Sequence, residues 1–197
     1  MRITLDNAFK INGKQTSIDL FIKEKAINFL IGENGVGKSS LFTYMKISKD
    51  LFQGTRVAFV DQEKLNPLSD LSVSEILAVV IEELVDVKSW EECEHVKNLE
   101  IEKLLDKKVS CLSGGENQKL KLALSLILPF DILLLDEPLQ SLDVKSQKQV
   151  ISTLEDISKE KGVLIIEHNV KKYESFNGCL NVMKEGNDFV EVSHGRS

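Results

Sequence analysis

The sequence lacks the long apolar run, the surplus of basic residues and the paired cysteines that mark several common classes of protein. Its longest apolar stretch without a charge, Leu122–Phe130, is far shorter than the ~20 residues that cross a bilayer. The net charge of −6 argues against nucleic acid as a partner, because broad nucleic-acid surfaces are basic. The three cysteines have no metal-ligand spacing, so they predict reduced thiols in a cytoplasmic protein.

No internal repeat and no linker rich in proline or glycine divides the chain, so we expect one domain over residues 1–197. Short, continuous apolar runs alternate with helical patterns, which is typical of an α/β fold with buried parallel strands. The N-terminal residues alternate like another strand, and residues 180–192 predict a hairpin that turns at 185–187. The four clearest strands are predicted at 27–31, 57–60, 132–135 and 163–166.

Between the second and third of these strands the pattern is helical. Ser72 and Glu75 have the spacing of a capping box, which opens a helix that runs to about residue 84. A second helix is predicted over 90–105, and a third, with one apolar face, over 143–159. The first two predict a helical lobe inserted into the α/β core from Asn66, which extends over about 66–128 if the helix after Ser113 is included.

A phosphate-binding loop follows the first clear strand. Residues 32–39, GENGVGKS, fit the P-loop pattern, in which glycines let backbone N–H groups approach phosphate oxygens at a helix N-terminus. In such a loop Lys38 reaches the β- and γ-phosphates, and the Ser39 hydroxyl binds Mg²⁺. The glycine spacing differs from that of dinucleotide-binding loops, so nicotinamide and flavin are disfavoured. The candidate nucleotide-binding positions here are Gly32, Asn34, Gly35, Gly37, Lys38, Ser39 and Ser40.

A second candidate segment, Ile132–Pro138, ends an apolar strand in two adjacent carboxylates. Acidic residues at strand ends are common, but with a P-loop upstream this position is where such enzymes place a second Mg²⁺ contact. Two carboxylates suggest two roles. Asp136 is predicted to face the metal, and Glu137 is predicted to act as the general base for the attacking water.

The segment Leu112–Glu116, LSGGE, can be interpreted as a helix N-terminus, with Ser113 as the cap of a helix that ends before Pro129. A cap alone does not explain why Gly114 and Gly115 follow the serine, 23 positions before Asp136. In this respect the chain resembles the nucleotide-binding domains of ABC ATPases, in which this element is the signature motif.

The resemblance covers nearly the whole chain and implies further site residues, each of which also has a structural interpretation. Gln62 corresponds to the glutamine that contacts Mg²⁺ and couples to a membrane partner, and His168 corresponds to the histidine at the γ-phosphate. Asp143 corresponds to the aspartate of the D-loop, although it also fits a helix N-cap. Phe9 is either the aromatic that stacks on adenine or a core residue.

The resemblance also implies an architecture. We expect a P-loop ATPase core with a parallel sheet, a small antiparallel β-lobe and the inserted helical lobe. We also expect a head-to-tail homodimer that holds ATP between the P-loop of one chain and Ser113 and Gly115 of the other. Lys38 and Gln62 are only 24 positions apart, so the β-lobe should be trimmed, and the 29 residues after His168 leave no room for an accessory domain.

The favoured function is a Mg²⁺-dependent ATPase that drives an ABC transporter through a separate membrane-spanning subunit, at the inner face of the cell membrane. A chromosome-maintenance ATPase of this kind would need long coiled-coil arms between Lys38 and Ser113, which are only 75 positions apart. A translation-type switch would carry two nucleotide domains in one chain. A non-enzymatic scaffold is disfavoured by the presence of Glu137 and His168.

Overall fold

A computed structural model describes residues 1–63, 65, 68–84, 89–168, 170–173, 178–187 and 189–195. In this part of the chain, eight strands form one sheet. They are β1 (Arg2–Ile11), β2 (Lys14–Phe21), β3 (Ala26–Gly32), β4 (Val57–Val60), β5 (Ile132–Asp136), β6 (Gly162–Glu167), β7 (Leu180–Glu185) and β8 (Phe189–Gly195). Their order across the sheet is β1-β2-β8-β7-β3-β6-β5-β4.

The centre of the sheet is parallel, as the apolar runs predict. Strands β7, β3, β6, β5 and β4 pair in parallel, and the hairpins β1–β2 and β7–β8 are antiparallel. A parallel pairing of β2 with β8 joins the first hairpin to the rest. The antiparallel part therefore continues the main sheet, and the predicted hairpin at 180–192 is confirmed.

Five α-helices lie among the described residues: α1 (Lys38–Ile47), α2 (Val73–Leu84), α3 (Glu94–Lys97), α4 (Gly114–Ile127) and α5 (Val144–Ser158). They cover both faces of the sheet. Successive strand residues point to opposite sides, and in the central strands the residues on both sides are apolar and buried. Leu133 and Leu135 of β5 pack into the core beneath α2, α4 and α5, whereas Leu134 packs into the core beneath α1. None of the helices described is both long enough and apolar enough to cross a membrane.

The local signals in the sequence correctly predict two helix starts. The backbone N–H of Ser72 donates to Glu75 Oε2 at 2.7 Å, and that of Glu75 donates to Ser72 Oγ at 3.2 Å, which is the predicted capping box. Asp143 caps α5, since its Oδ1 accepts from the backbone N–H of Ser146 at 2.8 Å. Each of these two helices therefore begins where a side chain accepts from one of its free N–H groups.

The predicted helix over 90–105 is wrong. The segment forms a 3₁₀ turn at Trp90–Glu92, the single turn of α3, and a second 3₁₀ turn at Ile101–Leu104. Glu100 has a φ of 56°, and a right-handed helix cannot continue through that conformation. Leu99 is nevertheless fully buried, so the apolar spacing here reflects burial and not helix. Asn66, the expected start of the lobe, lies outside the described residues.

Candidate functional site

Four of the predicted motifs lie at the carboxyl ends of four adjacent parallel strands, β3, β6, β5 and β4. The P-loop begins at the end of β3, His168 follows β6, Asp136 ends β5 and Gln62 lies two residues beyond β4. Neighbouring strands are about 4.8 Å apart, so these positions share one edge of the sheet. That edge is where open α/β sheets bind their ligands.

The P-loop is held in shape by its own lysine. Lys38 is buried, and its Nζ donates to the carbonyl oxygens of Gly32 at 2.8 Å and Glu33 at 2.9 Å. Gly37 has a φ of 105°, and a Cβ there would overlap the Ile11 side chain, so only glycine fits. The helix that starts at Lys38 has no acidic residue in its first turn. The loop therefore presents N–H groups and a cation, which suits a phosphate chain.

The tip of the β1–β2 hairpin lies against the same loop. Asn12 Nδ2 donates to the carbonyl oxygen of Gly35 at 2.9 Å, although the two residues are 23 positions apart. Asn12 has a φ of 51°, a conformation that asparagine tolerates better than most residues. The N-terminal hairpin thus supports the P-loop from outside, a contact that the sequence does not indicate.

Three oxygen-bearing side chains converge beside the P-loop. Asp136 is buried, which raises the pKa of its carboxyl group, and the neighbouring side chains of Ser39 and Gln62 act on that pKa in the opposite direction. Hydroxyl, amide and carboxylate oxygens are ligands that suit Mg²⁺. No cluster of three or more His, Cys, Asp and Glu side chains suited to a metal occurs among the described residues. This donor set fits a Mg²⁺ ion that takes its remaining ligands from phosphate and water.

Glu137 follows β5 and His168 follows the neighbouring strand β6, and their side chains face each other. Their Oε1 and Nδ1 atoms are 3.9 Å apart, and the Glu137 side chain is 22% exposed. Glu137 has a φ of 46°, while its backbone N–H still donates to the carbonyl oxygen of Ile166 at 3.0 Å. This unusual conformation directs the side chain away from the strand, and strained residues of this kind are common at active sites.

A second carboxylate at this point was missed by the sequence analysis. Glu167, the last residue of β6, is buried, and its Oε2 lies 3.6 Å from His168 Nδ1. Its Oε1 accepts a hydrogen bond from the Tyr173 hydroxyl at 3.3 Å. Burial raises the pKa of the Glu167 carboxyl group. A charged residue that ends an otherwise apolar strand was the signal that could have revealed it.

The signature segment forms the start of α4. Ser113 caps the helix as the local interpretation predicts, because the N–H of Glu116 donates to Ser113 Oγ at 3.2 Å and the N–H of Ser113 donates to Glu116 Oε2 at 2.9 Å. Ser113 lines a cavity of about 420 Å³ together with Gln62 and Glu137. A different pocket of about 670 Å³ is lined by Gly32, Asn34 and His168. The signature serine and the P-loop therefore face different spaces in one chain.

The two residues with open alternatives have these positions. The Phe9 ring stacks on the ring of Tyr44 in α1, with centroids 4.0 Å apart and planes at 10°, and it packs against the core beneath α1. One face of Phe9 is thus in a packing contact, and its role toward adenine stays a prediction. Asp143 acts as the cap of α5, and its D-loop role also stays a prediction.

Lys121 is another residue that the sequence analysis missed. It lies on α4, it is buried, and its Nζ donates to the backbone carbonyl of Asp61, the residue before Gln62. Burial lowers the pKa of its ammonium group. Asp61 also forms an ion pair with Lys46 of α1 at 2.5 Å. The segment that carries Gln62 is thus fastened to both α1 and α4.

The sequence and the fold of this chain resemble those of known proteins. The chain is 31% identical over 170 residues to the zinc import ATP-binding protein ZnuC of Rickettsia bellii, covering 78% of this chain and 69% of ZnuC. A dimeric ATP-binding cassette bound to ADP and Pi matches with a TM-score of 0.74 at 20% identity, over 99% of this chain and 97% of that one. A chain from ribosome-bound archaeal Pelota and ABCE1 matches with a TM-score of 0.77 at 23% identity, over 98% of this chain and 33% of that one.

The two structural matches fall below 25% identity, so they show the fold alone. The family model for ABC transporters matches residues 16–140, which include the P-loop, Gln62, the signature segment and Asp136-Glu137. That range is more than half of the chain. This protein belongs to the ABC transporter family, as one of its ATP-binding cassettes.

Proposed function

We propose that this protein is a Mg²⁺-dependent ATPase that drives an ABC transporter through a membrane-spanning subunit on a separate chain. One observation carries the proposal: three groups converge at one edge of the sheet. They are the P-loop, the oxygen-bearing side chains of Ser39, Gln62 and Asp136, and the Glu137–His168 pair. These are the parts that phosphoryl transfer needs: a phosphate cradle, a metal site and a base beside them.

Each part has a chemical role in hydrolysis. Lys38 and the loop N–H groups would bind the β- and γ-phosphates of ATP and hold them in line for attack. Ser39, Asp136 and Gln62 would hold Mg²⁺, which when bound neutralises charge on the phosphates. Glu137 would accept the proton of the attacking water. His168 lies within reach of Glu137 and of the pocket beside the P-loop, so it would face the γ-phosphate.

We also propose a head-to-tail homodimer, which the two separate spaces support. Ser113 opens on the cavity with Glu137, whereas the P-loop opens on the pocket with His168. The signature segment of one chain would therefore serve the nucleotide on the P-loop of another. ATP would close such a dimer and hydrolysis would reopen it, which is a ligand-driven shift between two states.

The transport role is supported by the relatives and by one exposed surface. The relative from Rickettsia bellii is named as a zinc import protein, and the family is that of transporters. Two exposed apolar residues lie at and just before α2: Val79 is 54% exposed and Leu71 is 36% exposed. We propose that this side of α2 faces the membrane-spanning subunit.

The direct test is ATP hydrolysis by the purified protein. Parent protein should release phosphate only when Mg²⁺ is present, and Lys38→Ala should lose turnover because nucleotide binding is weakened. Glu137→Gln should bind ATP and accumulate a closed dimer, visible by light scattering, because the base is removed while the shape is kept.

The matched controls are Lys148→Ala and Glu102→Gln, which make the same changes at exposed positions away from the site. Both should turn over at the parental rate. Undiminished phosphate release from Lys38→Ala would overturn the assignment of the P-loop. A Glu137→Gln protein that hydrolyses ATP normally would remove Glu137 from its role.

A further inference from the structure

The end of strand β6 carries a carboxylate where the rest of the strand is apolar. The strand reads GVLIIE, and Glu167 is only 2% exposed. Burying a charged group is costly unless it is hydrogen-bonded or paired. A carboxylate in this position therefore needs partners, and the proposed reaction gives it no role so far.

The partners of Glu167 come from the residues that follow the strand. The buried Tyr173 donates its hydroxyl proton to Oε1 at 3.3 Å, and His168 Nδ1 lies 3.6 Å from Oε2. The charge of Lys172 lowers the pKa of the Glu167 carboxyl group, and the charge of Glu137 raises it. Tyr173 thus occupies one oxygen of the carboxylate, and the other oxygen faces the histidine.

His168 lies between two carboxylates that differ in their surroundings. Glu167 is nearer and buried, whereas Glu137 lies 3.9 Å away, is partly exposed and accepts a bond from Gln140 Nε2 at 3.4 Å. A neutral imidazole donates from one nitrogen and accepts at the other, and the neighbour of Nδ1 decides which. The buried carboxylate at Nδ1 favours the tautomer that carries its proton there.

We propose that Glu167 is a positioning residue: its Oε2, 3.6 Å from His168 Nδ1 and just beyond hydrogen-bond distance in this structure, accepts the Nδ1 proton after a small turn of the ring and so fixes the ring orientation and the tautomer. Nε2 is then the nitrogen that is left to face the nucleotide cleft. This arrangement also directs the Nδ1 proton away from Glu137, whose carboxylate must stay free to accept a proton from water. The inference rests on the proposed function, in which His168 faces the γ-phosphate.

The tautomer can be read by ¹⁵N NMR without any turnover. His95 and His194 are replaced by glutamine, so that His168 is the one histidine left in the chain. Spectra are recorded at about pH 9, where an ordinary imidazole is neutral. The parent should carry its proton on Nδ1. Glu167→Met, which removes the acceptor at similar length, should move it to Nε2, and Glu167→Gln, which keeps a side-chain oxygen, should leave it on Nδ1.

Hydrolysis kinetics form the second readout. Glu167→Met should lower kcat on the order of 10-fold or more, the scale seen when a carboxylate that orients a working histidine is lost. KM for ATP should change less than about two-fold, since the P-loop is intact, and Glu167→Gln should restore most of kcat. Tyr173→Phe removes a single oxygen and should shift the Nδ1 resonance, which keeps the test open if Glu167→Met fails to fold.

The outcomes separate this inference from the proposed function. Either of two NMR results would overturn the positioning role. The first is a proton on Nε2 in the parent. The second is a tautomer that is the same in Glu167→Met together with an Nδ1 resonance that does not move in Tyr173→Phe. An unchanged kcat in Glu167→Met would do so as well. If the tautomer follows Glu167 but the parent hydrolyses no ATP, the proposed function fails and the histidine–carboxylate pair stands.

Discussion

The carbonyl oxygen of Ser141 lies 2.9 Å from the position that a Cβ on Gly115 would occupy. Real Cβ atoms essentially never come this close to another heavy atom, so the start of α4 and the residues after Glu137 pack backbone against backbone. Ser141 itself has a φ of 63°. The second glycine of the signature segment is therefore required by this contact within one chain, whatever it does in a dimer.

Gly115→Ala should consequently weaken the fold as well as the activity. The added methyl group must displace the Ser141 backbone, and overpacking of this kind costs about 1–3 kcal/mol. Urea unfolding measures the free energy of unfolding. The control is Gly162→Ala, where a Cβ would meet no neighbour closer than 3.5 Å. Equal losses in the two variants would contradict the packing argument.

The charge of Glu116 should stabilise the start of α4 only above acidic pH. Its ion pair with Lys107 and its bond from the Ser113 N–H hold the pKa of Glu116 below the ordinary value of about 4.3. A depressed pKa means that the stabilisation is complete above that value and is lost as the pH falls through the folded pKa. Glu116→Gln can still cap the helix but has no charge. The parent should be more stable at pH 7, and the difference should shrink as the pH falls through the folded pKa of Glu116 and vanish below it.

The proposed sharing of a site between two chains predicts complementation between two inactive variants. If a site takes Lys38 from one chain and Ser113 from the other, a Lys38→Ala chain paired with a Ser113→Arg chain forms one intact site. With free exchange, about half of a 1:1 mixture is heterodimer. A donor dye on one variant and an acceptor on the other should then show energy transfer that rises with ATP and Mg²⁺.

Neither variant alone should respond in that assay, since a homodimer of either one contains no intact site. Closure is a better measurement than turnover, because turnover can require both sites together. If the parent closes with ATP while the mixture stays open, the head-to-tail arrangement is wrong for this chain.

The proposed contact surface at α2 predicts a separation of function. Val79→Glu should abolish capture of the proposed membrane-spanning subunit from solubilised native membranes, because a charge replaces an exposed apolar side chain. ATP hydrolysis should stay at the parental rate, since Val79 is remote from the P-loop in sequence and lies on a different element. Ile47→Glu, at a residue of α1 that is 72% exposed, is the matched control and should leave capture intact.

The sequence predicts the sheet well because its central strands are buried on both faces. The runs at 27–31 and 132–135 give β3 and β5 to within a residue at either end. Helix starts at Ser72 and Asp143 are equally readable, since a cap is a local pattern of side chain and N–H. The position of the P-loop after β3 follows from the same local signals.

Contacts between distant parts of the chain were not readable. The bond from Asn12 to Gly35 depends on the path of a hairpin, and that from Lys121 to Asp61 joins residues 60 positions apart. The break at Glu100 was hidden for another reason. Apolar spacing records which side chains are buried, and the short turns around Leu99 bury theirs as a helix would. The approach of Glu137 to His168 needs β5 and β6 to be neighbours in the sheet, which no single motif specifies.

The bond from Lys121 to the Asp61 carbonyl has a mechanical consequence. It ties the helix that begins with the signature serine to the residue next to Gln62, through an anchor that is buried and thus shielded from water. Ser125 of the same helix donates to the carbonyl oxygen of Phe59 in β4 at 3.4 Å, so a rotation of α4 would displace the backbone both at Asp61 and at Phe59. The helix and the residue before Gln62 would then move together, so that a displacement of α4 reaches the predicted Mg²⁺ ligand through a single buried side chain.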